Sequence, residues 1–222
     1  VRGMGTSAFF IRDTITGLSA CGVSVMVVPT MTTTKDQLRR QILAGREAQD
    51  PADHAVEAAA LTAAVRAMTV PATVCAYVPV GREPGGVSML DALRDAGARV
   101  LLPITVTDAA GAPLPLLWAE YRTGELVRAR YGLLEPAGPA LPAETIALAA
   151  LVLVPALAVD RHGTRVGRGA GFYDRSLPLC GPGTALMAVV RDDELLDTVP
   201  GEEHDVAMTH ALTPRNGVVR LG

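Results

Sequence analysis

Apolar positions at Leu38 and Ile42, continued through Ala44–Ala48, recur with the spacing of one helix face. In front of them Thr34, with Gln37 three residues on, forms the pattern of a capping box. A second helix is predicted over "QDPADHAVEAAALTAAVRAM", with Asp50 as N-cap, Pro51 in the first helical position, Asp53 in the first turn and Pro71 as terminator. "TVCAYVPV" is β-branched and apolar, the pattern of a buried strand. "SMLDALRDAG" predicts a third helix, capped by Ser88 and stopped by Gly97. "RVLLPITV" and "LPLLWAEY" predict strands around the turn "DAAGAP", followed by a looser Gly- and Pro-rich stretch over 122–142. "IALAALVLVPALAVD" ends in the most apolar strand of the chain. "FYDRSLPL" predicts the start of a helix, and "TALMAVV" and "DVAMTHALT" predict further strands before the hairpin signal Asn216-Gly217. Strands therefore alternate with helices, and most strands are apolar on both faces. The expected fold is α/β, an open and mainly parallel sheet with helices on both faces.

Composition narrows this little. The 222 residues are 49% hydrophobic, enough for one large α/β domain, and the net charge of -3 gives no general pull towards nucleic acid or anionic membrane. The longest apolar run, residues 146–159, is broken by Pro155 and is too short to span a bilayer. Cys21, Cys75 and Cys180 lie far apart, which argues against a disulfide framework or zinc site and fits the reduced thiols of a cytoplasmic protein. His162, His204 and His210 show no metal-ligand spacing. Residues 1–30 precede Met31 and the helix start that follows it. They are expected to be a poorly packed extension or a start-site artefact, with the single domain over 31–222.

The candidate chemistry sits in "RVGRGAGFYDR", residues 165–175, which follows the most apolar strand, where open α/β sheets place ligand loops. Its Gly167-x-Gly169-x-Gly171 spacing is neither a dinucleotide fingerprint nor a P-loop. Glycines let successive N–H groups form an anion nest, and a following helix would add its positive end. Arg165, Arg168 and Arg175 add charge, while Asp174 calls for a cation between itself and any bound phosphate. A plain glycine turn with solvated arginines is the competing reading of the same composition. Lys35, the sole lysine, and Arg39 share one face of the first helix, where they could meet a polyphosphate or simply face solvent. Glu83 in a strand-end loop and Asp205 before a predicted strand are candidate polar or metal-linked acids, or ordinary loop acids.

With its lead-in, "LVPALAVDRHGTRVGRGAGFYDR" resembles the signature of the 5-formyltetrahydrofolate cyclo-ligase family, also called methenyltetrahydrofolate synthetase. "KDQLR", "YVPVGRE", "GLLEP" and "VPGEEHDVAM" fall in the family's order, so the similarity spans about residues 34–212. The resemblance implies a fold similar to the phosphosugar-isomerase and CoA-transferase group. It implies an enzyme that uses ATP and Mg²⁺ to convert 5-formyltetrahydrofolate, free or polyglutamylated, to 5,10-methenyltetrahydrofolate; a monomer is expected rather than an oligomer. It also implies roles by position. Lys35 and Arg39 resemble ATP contacts, and Arg165, Val166, Gly167, Arg168, Gly169, Ala170, Gly171, Phe172 and Tyr173 resemble the loop around the phosphates. In that loop Arg168, Gly169, Ala170, Gly171 and Phe172 would also face folate, as would Val78 and Glu83. Lys35, Arg168 and Asp174 would act in catalysis, and Asp174 and Asp205 would be the magnesium-linked acids. Two departures stand out: Phe172 replaces a common Tyr, and "PGG" follows Glu83 in place of the usual continuation. A non-catalytic folate- or nucleotide-binding paralogue is the alternative, and an isomerase or transferase on a similar sheet would need no ATP.

Overall fold

A computed structural model of the chain describes residues 34–129, 132–202 and 205–222. The expected extension over 1–30, with Cys21, lies outside them, as does His204. The sheet follows directly from the runs of apolar residues. In β6 (Leu151–Pro155), Leu151 and Leu153 enter one buried cluster while Val152 and Val154 enter another. β9 (Ala185–Val189) divides Met187 and Val189 from Leu186 and Ala188 in the same way. A strand with period two and apolar residues on both faces must be covered on both faces.

Seven strands form the main sheet in the order β12-β11-β9-β6-β1-β2-β3. β1 (Thr73–Cys75), β2 (Arg99–Ile104), β6, β9 and β11 (His210–Thr213) are parallel neighbours. The edge strands β3 (Leu117–Glu120) and β12 (Gly217–Arg220) are antiparallel, β12 turning back from β11 through Asn216-Gly217. One face packs on α2 (Pro51–Ala67), through Leu61 and Val65, and on α3 (Val87–Asp95), through Met89, Leu90 and Leu93. The other face is covered by short helical pieces, the 3₁₀ turns Ala143–Leu148 and Leu177–Leu179 and the helix α4 (Phe172–Ser176), around the fully buried Trp118.

Several expectations shift. The predicted strand "TVCAYVPV" pairs only over β1, and the chain from Ala76 to Val80 leaves the sheet. Ser88 does not cap α3. The helix begins earlier, at Val87, with Gly86 as a cap that offers no side-chain bond. The loose stretch 122–142 contains a hairpin of β4 (Leu126–Arg128) and β5 (Leu134–Pro136). The apolar run at 151–160 is two strands. Beyond Pro155 the chain leaves the main sheet, and β7 (Ala158–Asp160) pairs with β8 (Arg165–Val166) and β10 (Leu195–Leu196) in a separate three-stranded sheet. The glycine stretch therefore follows a hairpin, not the central strand itself.

Helix α1 (Lys35–Ala48) carries the expected capping box of Thr34 and Gln37 and packs on this small sheet through Leu38 and Ile42 against Ala158, Val166 and Val199. Its far end is fixed by Arg46, which is 2% exposed. Nε and Nη2 donate to the two carboxylate oxygens of Glu194, each at 2.7 Å, and Nη2 also donates to the carbonyl of Ala156 at 2.7 Å. Glu194 is itself buried, so loss of either partner strands a charge. Arg46→Ala is expected to lower unfolding free energy by about 3–5 kcal/mol in urea titrations. A loss below about 1 kcal/mol, the range of a surface pair, would show that the bridge does not anchor the helix.

Candidate active site

The parallel strands β1, β2 and β6 end at one cleft of about 560 Å³. Val78 and Val80 reach it beyond β1, Pro103 and Thr105 at the end of β2, and Pro155 and Ala156 at the end of β6. The opposite wall is the glycine loop, contributing Gly167–Gly171 with Phe172, Tyr173 and Asp174. The loop needs its glycines at two points. Gly169 has φ +92 and lies against the Arg39 guanidinium, 3.6 Å from where a Cβ would stand. Gly171 has φ +79, and a Cβ there would meet Arg175 Nη1 at 2.5 Å. α4 after the loop has only five residues, too short for the helix-end charge that the sequence led us to expect. The positive potential must come from side chains.

Those side chains are held by carboxylates. Arg168 Nε donates to Glu83 Oε1 at 2.8 Å, across the cleft mouth. Glu83 is largely buried, and its other oxygen accepts from the Val80 N–H at 3.0 Å. Arg165 donates to Asp174 in a short contact, and its buried Nε has no hydrogen-bond partner. Arg175 donates to the Gly171 carbonyl at 3.0 Å, within the loop. The Tyr173 hydroxyl is likewise buried without a partner, and burial, then the nearby Cys75 and Glu83, push it far above the ordinary phenol range.

Lys35 and Arg39 line a second depression, of about 350 Å³, beside the first turn of α1. Arg39 joins it to the loop by donating from Nε to the Gly167 carbonyl at 2.9 Å. Lys35 donates to Asp205 at 2.8 Å and lies 3.2 Å from Glu202. Burial works against its charge, but the hydrogen bonds and charges of Asp205 and Glu202 outweigh that and hold its pKa above the ordinary lysine value. The raised value means the contact stabilises the fold throughout neutral pH and is lost only as pH rises through the folded pKa, above about 10.4.

Of the expected residues, Val78, Glu83, Arg165, Gly167, Arg168, Gly169, Ala170, Gly171, Phe172, Tyr173 and Asp174 meet in the main cleft. Lys35 and Arg39 stand beside it, with Asp205 on Lys35. Val166 differs: its side chain is buried with Leu38, Ala158 and Val199 and lines neither depression. Among the described residues no three His, Cys, Asp or Glu side chains converge to hold a metal ion. Both described cysteines are free. Burial raises Cys180 to about 11 and Cys75 further, so neither is a ready nucleophile. The cleft also uses Glu135, which accepts from the Thr105 N–H at 2.9 Å and hydroxyl at 2.8 Å. "GLLEP" contains this residue, but nothing local to that motif indicates that β5 brings it to the end of β2.

Sheet, cleft and loop together define an α/β enzyme with a basic, glycine-rich loop at the carboxyl ends of its parallel strands. Residues 31–214 match the model of the 5-formyltetrahydrofolate cyclo-ligase family. A 5-formyltetrahydrofolate cyclo-ligase of Mycolicibacterium smegmatis is 56% identical over 188 residues, covering 84% of this chain and 97% of that protein. One from Escherichia coli is 31% identical over 159 residues, covering 68% of this chain and 86% of that protein. The solved 5,10-methenyltetrahydrofolate synthetase of Aquifex aeolicus has the same fold, with a TM-score of 0.67 at 21% identity over 84% of this chain and 92% of that one. The chain belongs to the 5-formyltetrahydrofolate cyclo-ligase family.

The Glu83–Arg168 bridge restrains the glycine loop, and Arg168 is itself a trypsin site. Glu83→Gln should speed cleavage after Arg168 about two- to fivefold, the effect of losing a half-exposed pair. Fragment mass spectrometry reads the site, and an unchanged rate would show that the bridge does not restrain the loop.

Proposed function

We propose that the protein converts 5-formyltetrahydrofolate to 5,10-methenyltetrahydrofolate, using ATP and Mg²⁺ and releasing ADP and phosphate. Family membership supports the reaction. One structural observation carries the cofactor assignment: three cations at and beside the loop are held by acids, as Lys35–Asp205, Arg165–Asp174 and Arg168–Glu83. A bare anion would have to compete with three carboxylates. A magnesium-bound polyphosphate is complementary to such a set, since its oxygens suit the cations and its metal suits the acids. The buried, unpartnered Nε of Arg165 and hydroxyl of Tyr173 support a polar ligand at the loop. Asp174 and Asp205 are acids of this set, and Mg²⁺ asks for only one or two carboxylates because it keeps waters and shares its shell with phosphate oxygens.

In this reading the loop amides from Gly169 to Gly171, with Arg165 and Arg168, hold the phosphates, and Lys35 and Arg39 approach them from α1. Asp174 and Asp205 would hold Mg²⁺, which supplies charge neutralisation on the transferring phosphoryl group. Val78 and Phe172 form walls for the flat pterin, and Glu83 orients its polar edge. The cleft volume is that of an ordinary small-molecule site.

The chemistry requires such a shared site. A formamide oxygen is a poor leaving group. Its attack on the γ-phosphorus releases ADP and converts it into a good one. The N10 lone pair then attacks the formyl carbon, the carbon–oxygen bond breaks, phosphate departs with the former formyl oxygen, and N10 gives up its proton. Holding the formyl oxygen in line with the phosphorus and supplying positive charge is the residues' contribution. Purified protein with 5-formyltetrahydrofolate, ATP and Mg²⁺ should show rising ultraviolet absorbance from the methenyl product, dependent on both ATP and metal. Well-folded protein giving no ATP-dependent rise would sink the proposal.

A further inference from the structure

Two residues of the signature stretch, Asp160 and Gly163, line neither depression. Asp160 ends β7 and is 2% exposed. Its Oδ1 accepts from the N–H groups of His162 and Thr164, both at 2.9 Å, closing the turn between β7 and β8. Its Oδ2 leaves the turn and accepts from the Val199 N–H at 3.1 Å. The Gly163 carbonyl accepts from the Met208 N–H at 2.8 Å. Gly163 has φ +91, and a Cβ there would stand 2.3 Å from the Met208 oxygen, so only glycine permits the approach. Between these points, Thr164 packs on Gly201, where a Cβ would lie 2.8 Å from its methyl.

The turn over 160–164 thus grips the chain at Val199, Gly201 and Met208. Glu202 and Asp205, which hold Lys35, lie between those grips. The same turn continues through β8 straight into the glycine loop. We infer that Asp160 and Gly163 are positioning residues: their turn is the common base of the acidic segment that holds Lys35 and of the loop that carries Arg165 and Arg168. It makes the two sides of the phosphate cradle one rigid piece, although neither residue touches a ligand.

Asp160→Asn separates this role from turn formation. The amide oxygen keeps the two bonds within the turn, while the Nδ2 group meets the Val199 N–H, donor against donor. Lys35 is the sole lysine, so amine acetylation read by mass spectrometry on its peptide reports that side chain alone. In the variant, Lys35 should acetylate at least about threefold faster, as its acidic partners loosen. The kinetic arm rests on the proposed reaction. There KM for ATP should rise about fivefold, the effect of one lost hydrogen bond, while KM for 5-formyltetrahydrofolate stays within about twofold. Wild-type acetylation of Lys35 in a cooperatively folded variant, or equal rises in both KM values, would overturn the inference. The unmodified protein gives a further arm that needs neither turnover nor a folded variant. The Val199 and Met208 amides should exchange with deuterium as slowly as those of β9 and β11, and rapid exchange at either would also overturn it.

Discussion

The guanidinium of Arg46 is where helix α1, the end of the central strand β6 and the turn at Glu194 meet. At Pro155 the chain must leave a sheet in which it is buried on both faces, and the break exposes a backbone carbonyl at Ala156. Arg46 donates to that carbonyl and to both oxygens of Glu194. A buried polar group left unpaired is costly, so this bridge fixes the direction in which the chain departs. Everything at the site follows from that departure. β7 and β8 lie beside α1, the glycine loop leaves β8 at the cleft, and the N-terminal half of α1 brings Arg39 onto the Gly167 carbonyl.

Rigidity and charge are then supplied together. The loop has too little helix behind it for a useful dipole, so its positive charge rests on arginines that would repel one another if left alone. Each arginine facing the cleft is matched to an acid from a different part of the chain: Arg168 to Glu83 beyond β1, and Arg165 to Asp174 in α4. The pairs hold the cations in place without a ligand. They also set a condition on what can bind, because the acids must find a replacement partner when the cations turn to phosphate. A divalent metal is the natural replacement, and it is why ATP and Mg²⁺ enter the proposed reaction as a unit.

Local features of the fold and the glycine loop were legible in the sequence. The capping box of α1, the Pro51 start of α2 and the Asn216-Gly217 hairpin are set by residues adjacent in the chain. The apolar run at 151–160 read as one strand because both of its pieces are buried, and hydropathy cannot tell which sheet buries them. Ser88 looked like a cap, but the α3 turn begins at Gly86, whose carbonyl accepts from the Met89 N–H at 3.0 Å. Nothing local marks Arg46 as an anchor or Asp160 as a brace, because Glu194 and Val199, their partners, are far away in sequence. The contact of Lys35 with Asp205 spans 170 positions, and only their shared place in the family's order hinted at it. The family resemblance groups Val166 with the loop residues, while alternation along β8 turns its side chain inward.

In the proposed reaction the formyl oxygen itself attacks the γ-phosphorus. Turnover of 5-formyltetrahydrofolate carrying oxygen-18 in its formyl group tests this most directly. The label should appear in the inorganic phosphate, because that oxygen leaves bonded to phosphorus. Label released to water, with phosphate unlabelled, would contradict it.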